Sequence, residues 1–302
     1  MNEDTGMDAP DTALLLDLMA KARAPIEAQL AATPSDPALL ERVANLCRTL
    51  GDLDAAARYF TKLDALAPGT VDAGRMARLM TGNLTPEDSR TTRPLPTPFF
   101  RRPAFLPTSD RDRIMAYALE SEAKFKPLSI TANFRDGSQA QRRDTALRDQ
   151  LGLSKIPELR DVIEPHIQAI LPRMISDLDL PEFEIREIHL SMSLTRNAGF
   201  GKPHRDDVNS GAMISFLYYF HSQPKQFTGG DLMLYDRQVD PNAAVISEAT
   251  RFVHADNLLV AFPCNAVHEI TRVECPSPEF GHGRFAIAGF VLRAETQDQN
   301  VG

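Results

Sequence analysis

Three cysteines in 302 residues, Cys47, Cys264 and Cys275, are too few and too scattered to form a disulfide framework. That usage suits a reducing compartment. No apolar run reaches the roughly 18 residues that a membrane span requires. The first ten residues, Met1–Pro10, are acidic and lack the apolar centre of a signal peptide. The expectation is a cytoplasmic protein with no membrane partner. A basic stripe is missing too: the net charge is −8 and the pI near 5.4, which excludes nucleic acid as an expected partner because nothing is placed to neutralise phosphates. Hydrophobic content of 43% is ordinary for a globular chain, and the length allows two domains. Disorder is expected only at the termini, with residues 1–11 forming the N-terminal tail.

Against this background the segment Pro203-His204-Arg205-Asp206-Asp207 stands out, followed later by Pro263-Cys264-Asn265-Ala266-Val267-His268-Glu269-Ile270. Residues two apart on a strand point to the same side, so His204 and Asp206 can grip one ion from a single strand end, with His268 as the third ligand. Two imidazoles and one carboxylate suit a borderline first-row ion such as iron(II) and leave the opposite face open for chemistry. A lone His-x-Asp triplet turns up by accident in about half of chains of this size and composition. Its setting adds weight. The Gly/Pro-rich turn 197–203 delivers His204, and short β-like segments surround it: Arg186–Arg196, Ala212–His221, Asp231–Tyr235, Asn257–Phe262, Val267–Glu274 and Arg284–Arg293. Many short strands at near-regular spacing predict a β-sandwich or jelly roll, whose open mouth lets inward polar residues converge.

The order His204-x-Asp206, Leu217-Tyr218-Tyr219-Phe220, Gly229-Gly230-Asp231-Leu232, Val260-Ala261-Phe262-Pro263, His268-Glu269-Ile270-Thr271 and Gly283-Arg284-Phe285-Ala286-Ile287 resembles the prolyl-hydroxylase branch of the iron(II)/2-oxoglutarate-dependent oxygenases. The resemblance covers about residues 185–293 and, more weakly, the chain back to about residue 97. It implies an α+β fold: a double-stranded β-helix (jelly roll) with buttressing helices, in a catalytic domain over residues 97–302. It also implies metal ligands His204, Asp206 and His268, with Arg284 and Tyr219 binding the far carboxylate of 2-oxoglutarate. A guanidinium fork matches a carboxylate well. Tyr218 is adjacent, and a one-residue slip would exchange the two faces; Arg293 is the rival anchor. The implied cofactors are Fe(II), 2-oxoglutarate and O2, with ascorbate as in the family, and the implied products are succinate and carbon dioxide. The chain departs from the family in two places. Sixteen positions separate His268 from Arg284, through a loop at Cys275–His282, and Ser193-Leu194-Thr195 stands where the family commonly has a Tyr. Cys264 reads as a packing residue, and His221, His254 and His282 as loop or strand-end histidines.

Ahead of the barrel, residues 12–82 have helical texture. A cap at Ser35-Asp36 and the run Leu50-Gly51-Asp52-Leu53-Asp54-Ala55-Ala56-Ala57-Arg58-Tyr59-Phe60, closing at Pro68, resemble one tetratricopeptide repeat. Helical patterns at Thr12–Ala31 and Val71–Thr81 flank it, making a small all-α domain. Recruitment of a protein partner, self-association and buttressing of the barrel are all open to it. Residues 83–96 read as a Pro-rich linker. Asp110–Phe125 and Ile156–Leu178 read as helices, and the polar stretch Asn133–Asp149, with Arg135, Arg142, Arg143 and Arg148, as a substrate loop or a solvated one. The function expected is hydroxylation of an unactivated C–H bond in a peptide or protein substrate. The alternatives are the same chemistry on a free amino acid or small biosynthetic intermediate, and a non-catalytic scaffold.

Overall fold

The computed structural model describes residues 12–68, 72–84, 96–133, 139–206, 211–236 and 244–294. The expected N-terminal tail and most of the expected linker fall outside them. Four helices come first: α1 (Thr12–Ala32), α2 (Pro37–Leu50), α3 (Leu53–Leu66) and α4 (Ala73–Thr81). The Asp36 carboxylate caps α2 by accepting from the backbone N–H groups of Ala38 and Leu39. Gly51 ends it at φ +84°, and Asp52 at once caps α3 by accepting from Ala55 N–H. Only a residue tolerant of the left-handed region reverses the chain so sharply. Buried Ala44, Ala55, Ala56 and Ala57 leave room for close helix approach.

The remainder is an α+β unit. A seven-stranded antiparallel sheet runs in the order β1 (Phe100–Pro103), β12 (Leu258–Pro263), β8 (Ala212–Phe220), β15 (Arg284–Arg293), β6 (Ile185–Thr195), β5 (Leu151–Leu153), β2 (Lys126–Pro127). A four-stranded sheet has the order β11 (Ala249–Phe252), β10 (Leu232–Tyr235), β13 (His268–Ile270), β7 (Gly201–His204). Two small ribbons pair β3 (Ile130–Asn133) with β4 (Gln139–Arg142), and β9 (Thr228–Gly229) with β14 (Val273–Glu274). The strand expected over Val267–Glu274 is split, its first half pairing with β10 and β7 and its second with β9.

Alternation along β8 and β15 separates two cores. Ile214, Phe216, Tyr218, Phe220, Phe285 and Ile287 pack outward with helices α5 (Thr108–Glu120) and α6 (Arg160–Asp177). Tyr219 and Ala286 face the other way, in a core shared with Val260, Phe262, Leu232, Leu234 and Ile270 between the two sheets. The apolar faces of α2, α3 and α4 join that same core, with Phe99 and Phe252. A polar seam reinforces the junction: Arg48 donates to both carboxylate oxygens of Asp236 (2.5 and 3.0 Å), and Thr49 donates to the Ala249 carbonyl. All three cysteines are buried, Cys264 against Ala212 and Leu292. No helix among the described residues is long and apolar enough to cross a membrane.

Candidate active site

Strand pairing builds the centre. β13 runs antiparallel to β7 with His268 directly opposite His204, which brings the ring centroids to 4.3 Å. β7 ends at His204, and the chain turns so that Asp206 meets both rings: its carboxylate oxygens lie 4.0 Å from His204 Nε2 and 3.7 Å from His268 Nε2. One donor atom from each residue falls within 4.8 Å of the other two. Separations of that size suit ligands around a single ion at about 2 Å from each.

The surroundings fix the donor atoms. His204 Nδ1 lies 2.7 Å from the Lys202 carbonyl and His268 Nδ1 lies 3.1 Å from the Ala266 carbonyl. Each carbonyl can only accept, so Nδ1 carries the proton and Nε2 keeps its lone pair for a metal. Ser215 donates to Asp206 Oδ2 at 2.7 Å. Removal from water, followed by the nearby His268 and Arg148, pushes His204 down to about 3, so its ring stays neutral and able to ligate.

Arg284 opens β15 opposite Thr195 and is 1% exposed. Its Nε donates to the Gly230 carbonyl at 2.7 Å, and its guanidinium lies 5.0 Å from the Tyr219 ring centre. Gly230 sits at φ +70°, and a Cβ there would meet the Arg284 side chain at 2.9 Å; glycine is needed on both counts. Two buried polar atoms here lack a hydrogen-bond partner among the described residues: Arg284 Nη2 and the Tyr219 hydroxyl. Burial lowers the pKa of the guanidinium and raises that of the phenol. A buried donor without an acceptor is costly, and a carboxylate bound here would satisfy both groups.

Tyr218 faces away, its hydroxyl donating to Asn257 Oδ1 at 3.2 Å. Arg293, at the far end of β15, is exposed. His204, Asp206, His268 and Arg284 line one cavity of about 160 Å³. Ser193, where the family's Tyr was expected, lines it too, beside Gln150.

Sequence reasoning missed three contributors. Ser215 had no motif to mark it. His254, read as a loop or strand-end histidine, is 2% exposed, with its ring 4.7 Å from that of Tyr219. Arg148, read as part of a polar loop, lines the cavity with Nη2 2.6 Å from His204 Nε2. Its only signal was the cluster of arginines in that stretch.

Residues 190–292 match the 2OG-Fe(II) oxygenase superfamily. An uncharacterised PKHD-type hydroxylase from Synechocystis is 28% identical over 193 residues, 63% of this chain and 61% of the relative. The chain therefore spans less than two thirds of that relative's length. Among solved structures, a Pseudomonas putida prolyl-4-hydroxylase is similar with a TM-score of 0.47 at 17% identity, covering 65% of this chain and 94% of that one. A Trichoplax adhaerens prolyl hydroxylase, solved with a hypoxia-inducible-factor peptide fragment, gives 0.49 at 14% identity, covering 70% and 89%.

Proposed function

We propose that this chain, whose residues 190–292 match the 2OG-Fe(II) oxygenase superfamily, is an iron(II)- and 2-oxoglutarate-dependent dioxygenase. It would hydroxylate an unactivated C–H bond, in a peptidyl residue as in the prolyl hydroxylases it resembles. One observation carries the reading: a three-ligand cluster shares a cavity with Arg284, whose buried Nη2 has no acceptor among the described residues. The donor set fits iron(II), and the unpartnered Arg284 Nη2 and Tyr219 hydroxyl fit a carboxylate.

His204, Asp206 and His268 would hold the metal. Bound iron would supply the activation of O2 that couples decarboxylation of 2-oxoglutarate, to succinate and carbon dioxide, with insertion of one oxygen into the substrate. The protein's part is positioning. The Lys202 and Ala266 carbonyls hold both imidazoles in the ligating tautomer, and Ser215 holds one oxygen of Asp206. Arg284 and Tyr219 would receive the far carboxylate of 2-oxoglutarate. Phe262 and Ile270 line the cavity and limit its access to water. The helical region would serve as a buttress, a role supported by its share in the inter-sheet core and by the Arg48–Asp236 pair. The α2–α3 pair is consistent with one tetratricopeptide-like repeat.

Anaerobic addition of iron(II) and 2-oxoglutarate should produce the visible charge-transfer band of chelation. His268→Ala and Asp206→Ala should abolish it. A band that survives both substitutions overturns the assignment.

A further inference from the structure

The cavity holds a second guanidinium that neither the metal nor 2-oxoglutarate requires. Residues 147–149 run beside β7: Lys202 N–H donates to the Leu147 carbonyl (2.8 Å), Asp149 N–H to the Phe200 carbonyl (3.0 Å), and Arg148 bridges Gly201. This pairing aims the Arg148 side chain at the centre, where Nη2 meets His204 Nε2 at 2.6 Å. Among the described residues, Arg148 and Arg284 are the only Arg or Lys lining the cavity. Among the described residues, no carboxylate hydrogen-bonds the Arg148 guanidinium.

That contact with His204 cannot persist in the metal-loaded site. His204 Nδ1 already donates to Lys202, so Nε2 has one lone pair to give. A metal ion takes that lone pair and also repels the cation. The charge of Asp206 acts on Arg148, but its oxygens would be committed to the metal and to Ser215. Counting a ferrous ion, Asp206, both arginines and a 2-oxoglutarate dianion, the loaded cavity keeps one excess positive charge. An unpaired cation in such a place is costly, and a planar carboxylate is the partner a guanidinium fork fits best.

We propose that Arg148 binds a carboxylate of the primary substrate, so that the molecule hydroxylated is a carboxylic acid. This rests on the assignment of the metal and 2-oxoglutarate sites above. The carboxylate belongs either to a small molecule, such as a free amino acid, or to an acidic group of a peptide. Arg148 selects and positions the substrate, and its alignment with β7 would hold the carboxylate next to His204.

The test uses the full chain with iron(II) and saturating 2-oxoglutarate under anaerobic conditions, titrated with acetate and, in parallel, with acetamide. Acetate should perturb the charge-transfer band saturably in the wild type, and acetamide should not. In Arg148→Gln the acetate response should weaken roughly ten- to hundred-fold, the worth of a charge-assisted hydrogen bond. The band itself and the affinity for 2-oxoglutarate should remain within about three-fold, a difference too small for a lost hydrogen bond. Arg148→Lys, which keeps the charge without the fork, should retain part of the response, and circular dichroism checks that both variants fold. Absence of an acetate response in the wild type, or an equal response in Arg148→Gln, overturns the proposal. So does a ten-fold loss of 2-oxoglutarate affinity, which would make Arg148 part of the co-substrate site. If the wild type gives no band at all, the underlying metal reading fails and the proposal falls with it. A stronger response to L-proline than to N-acetyl-aspartyl-prolinamide supports the proposal with a small acid as the source, and the converse supports it with an acidic peptide.

Discussion

Replacing Arg284 by Met should separate binding from stability. The guanidinium is 1% exposed and makes one hydrogen bond, to Gly230, plus a cation–π contact with Tyr219, while Nη2 has no partner. Losing the Gly230 bond and the ring contact costs about 1 kcal/mol each, and leaving the buried Gly230 carbonyl without a donor about 1–3 kcal/mol more. Removing a desolvated cation without a carboxylate partner returns several kcal/mol. The opposing effects leave the metal-free protein within ~2 kcal/mol of wild type. Binding should respond very differently. A charge-assisted bond to the co-substrate carboxylate, with its charge complementarity, is worth about 2–4 kcal/mol, so 2-oxoglutarate affinity should fall roughly 30- to 1,000-fold. The assays are thermal or denaturant unfolding without metal, and anaerobic titration of the charge-transfer band. Saturating 2-oxoglutarate should also protect the metal-loaded wild type against unfolding, by about 2.7 kcal/mol at one hundred times its dissociation constant, and should fail to protect the variant at the same concentration. Destabilisation beyond ~3 kcal/mol would show that Arg284 is a structural pillar. Unchanged affinity would remove it from the co-substrate site.

Tyr219→Phe should weaken 2-oxoglutarate binding about ten-fold or more, the worth of one hydrogen bond to a charged group, while Tyr218→Phe should leave it unchanged; the reverse in the same titration would place the wrong tyrosine at the site. Asp236→Ala strands buried Arg48 at the junction of helices and barrel, and a loss of about 2–4 kcal/mol is expected in denaturant unfolding, since Asp236 is itself partly exposed. A change under ~0.5 kcal/mol, the usual range for surface sites, would mean the seam is only a surface contact. Burial holds buried His254 well below the ordinary imidazole range, so the folded protein keeps it neutral while the unfolded chain takes up a proton near pH 6.5. Stability is therefore full above that pH and declines as pH falls below it, by up to about 1.4 kcal/mol per pH unit from this residue. His254→Gln should flatten that slope in melts from pH 7.5 to 5, and an unaltered slope would refute the assignment.

Much of the candidate site was legible because the groups the structure brings together are short-range patterns. His204-x-Asp206 with the distal His268, and the strand openings at Gly230 and Arg284, are carried by residue type and local order. Alternation then decided between the two tyrosines once the strand was fixed: Tyr219 shares a face with Ala286, and Tyr218 packs against the helices. Short strands such as β1, β5, β7 and β11 escaped because three or four residues carry too little periodicity to be read. Arg148 and His254 escaped for another reason. Neither stands in a motif, and each reaches the site through a pairing with distant chain: Arg148 through its bridge to Gly201, His254 through its backbone N–H bond to Asp231.

The amino-acid sequence by itself determined the donor chemistry and the succession of the longer strands along the chain, because both are written in residue identity and local spacing. Only the tertiary structure decided which buried donors lack acceptors among the described residues, that the helical region and the barrel share a core, and that a second arginine stands beside His204. Those facts depend on contacts between residues tens to hundreds of positions apart, and such contacts exist only once the sheets have paired.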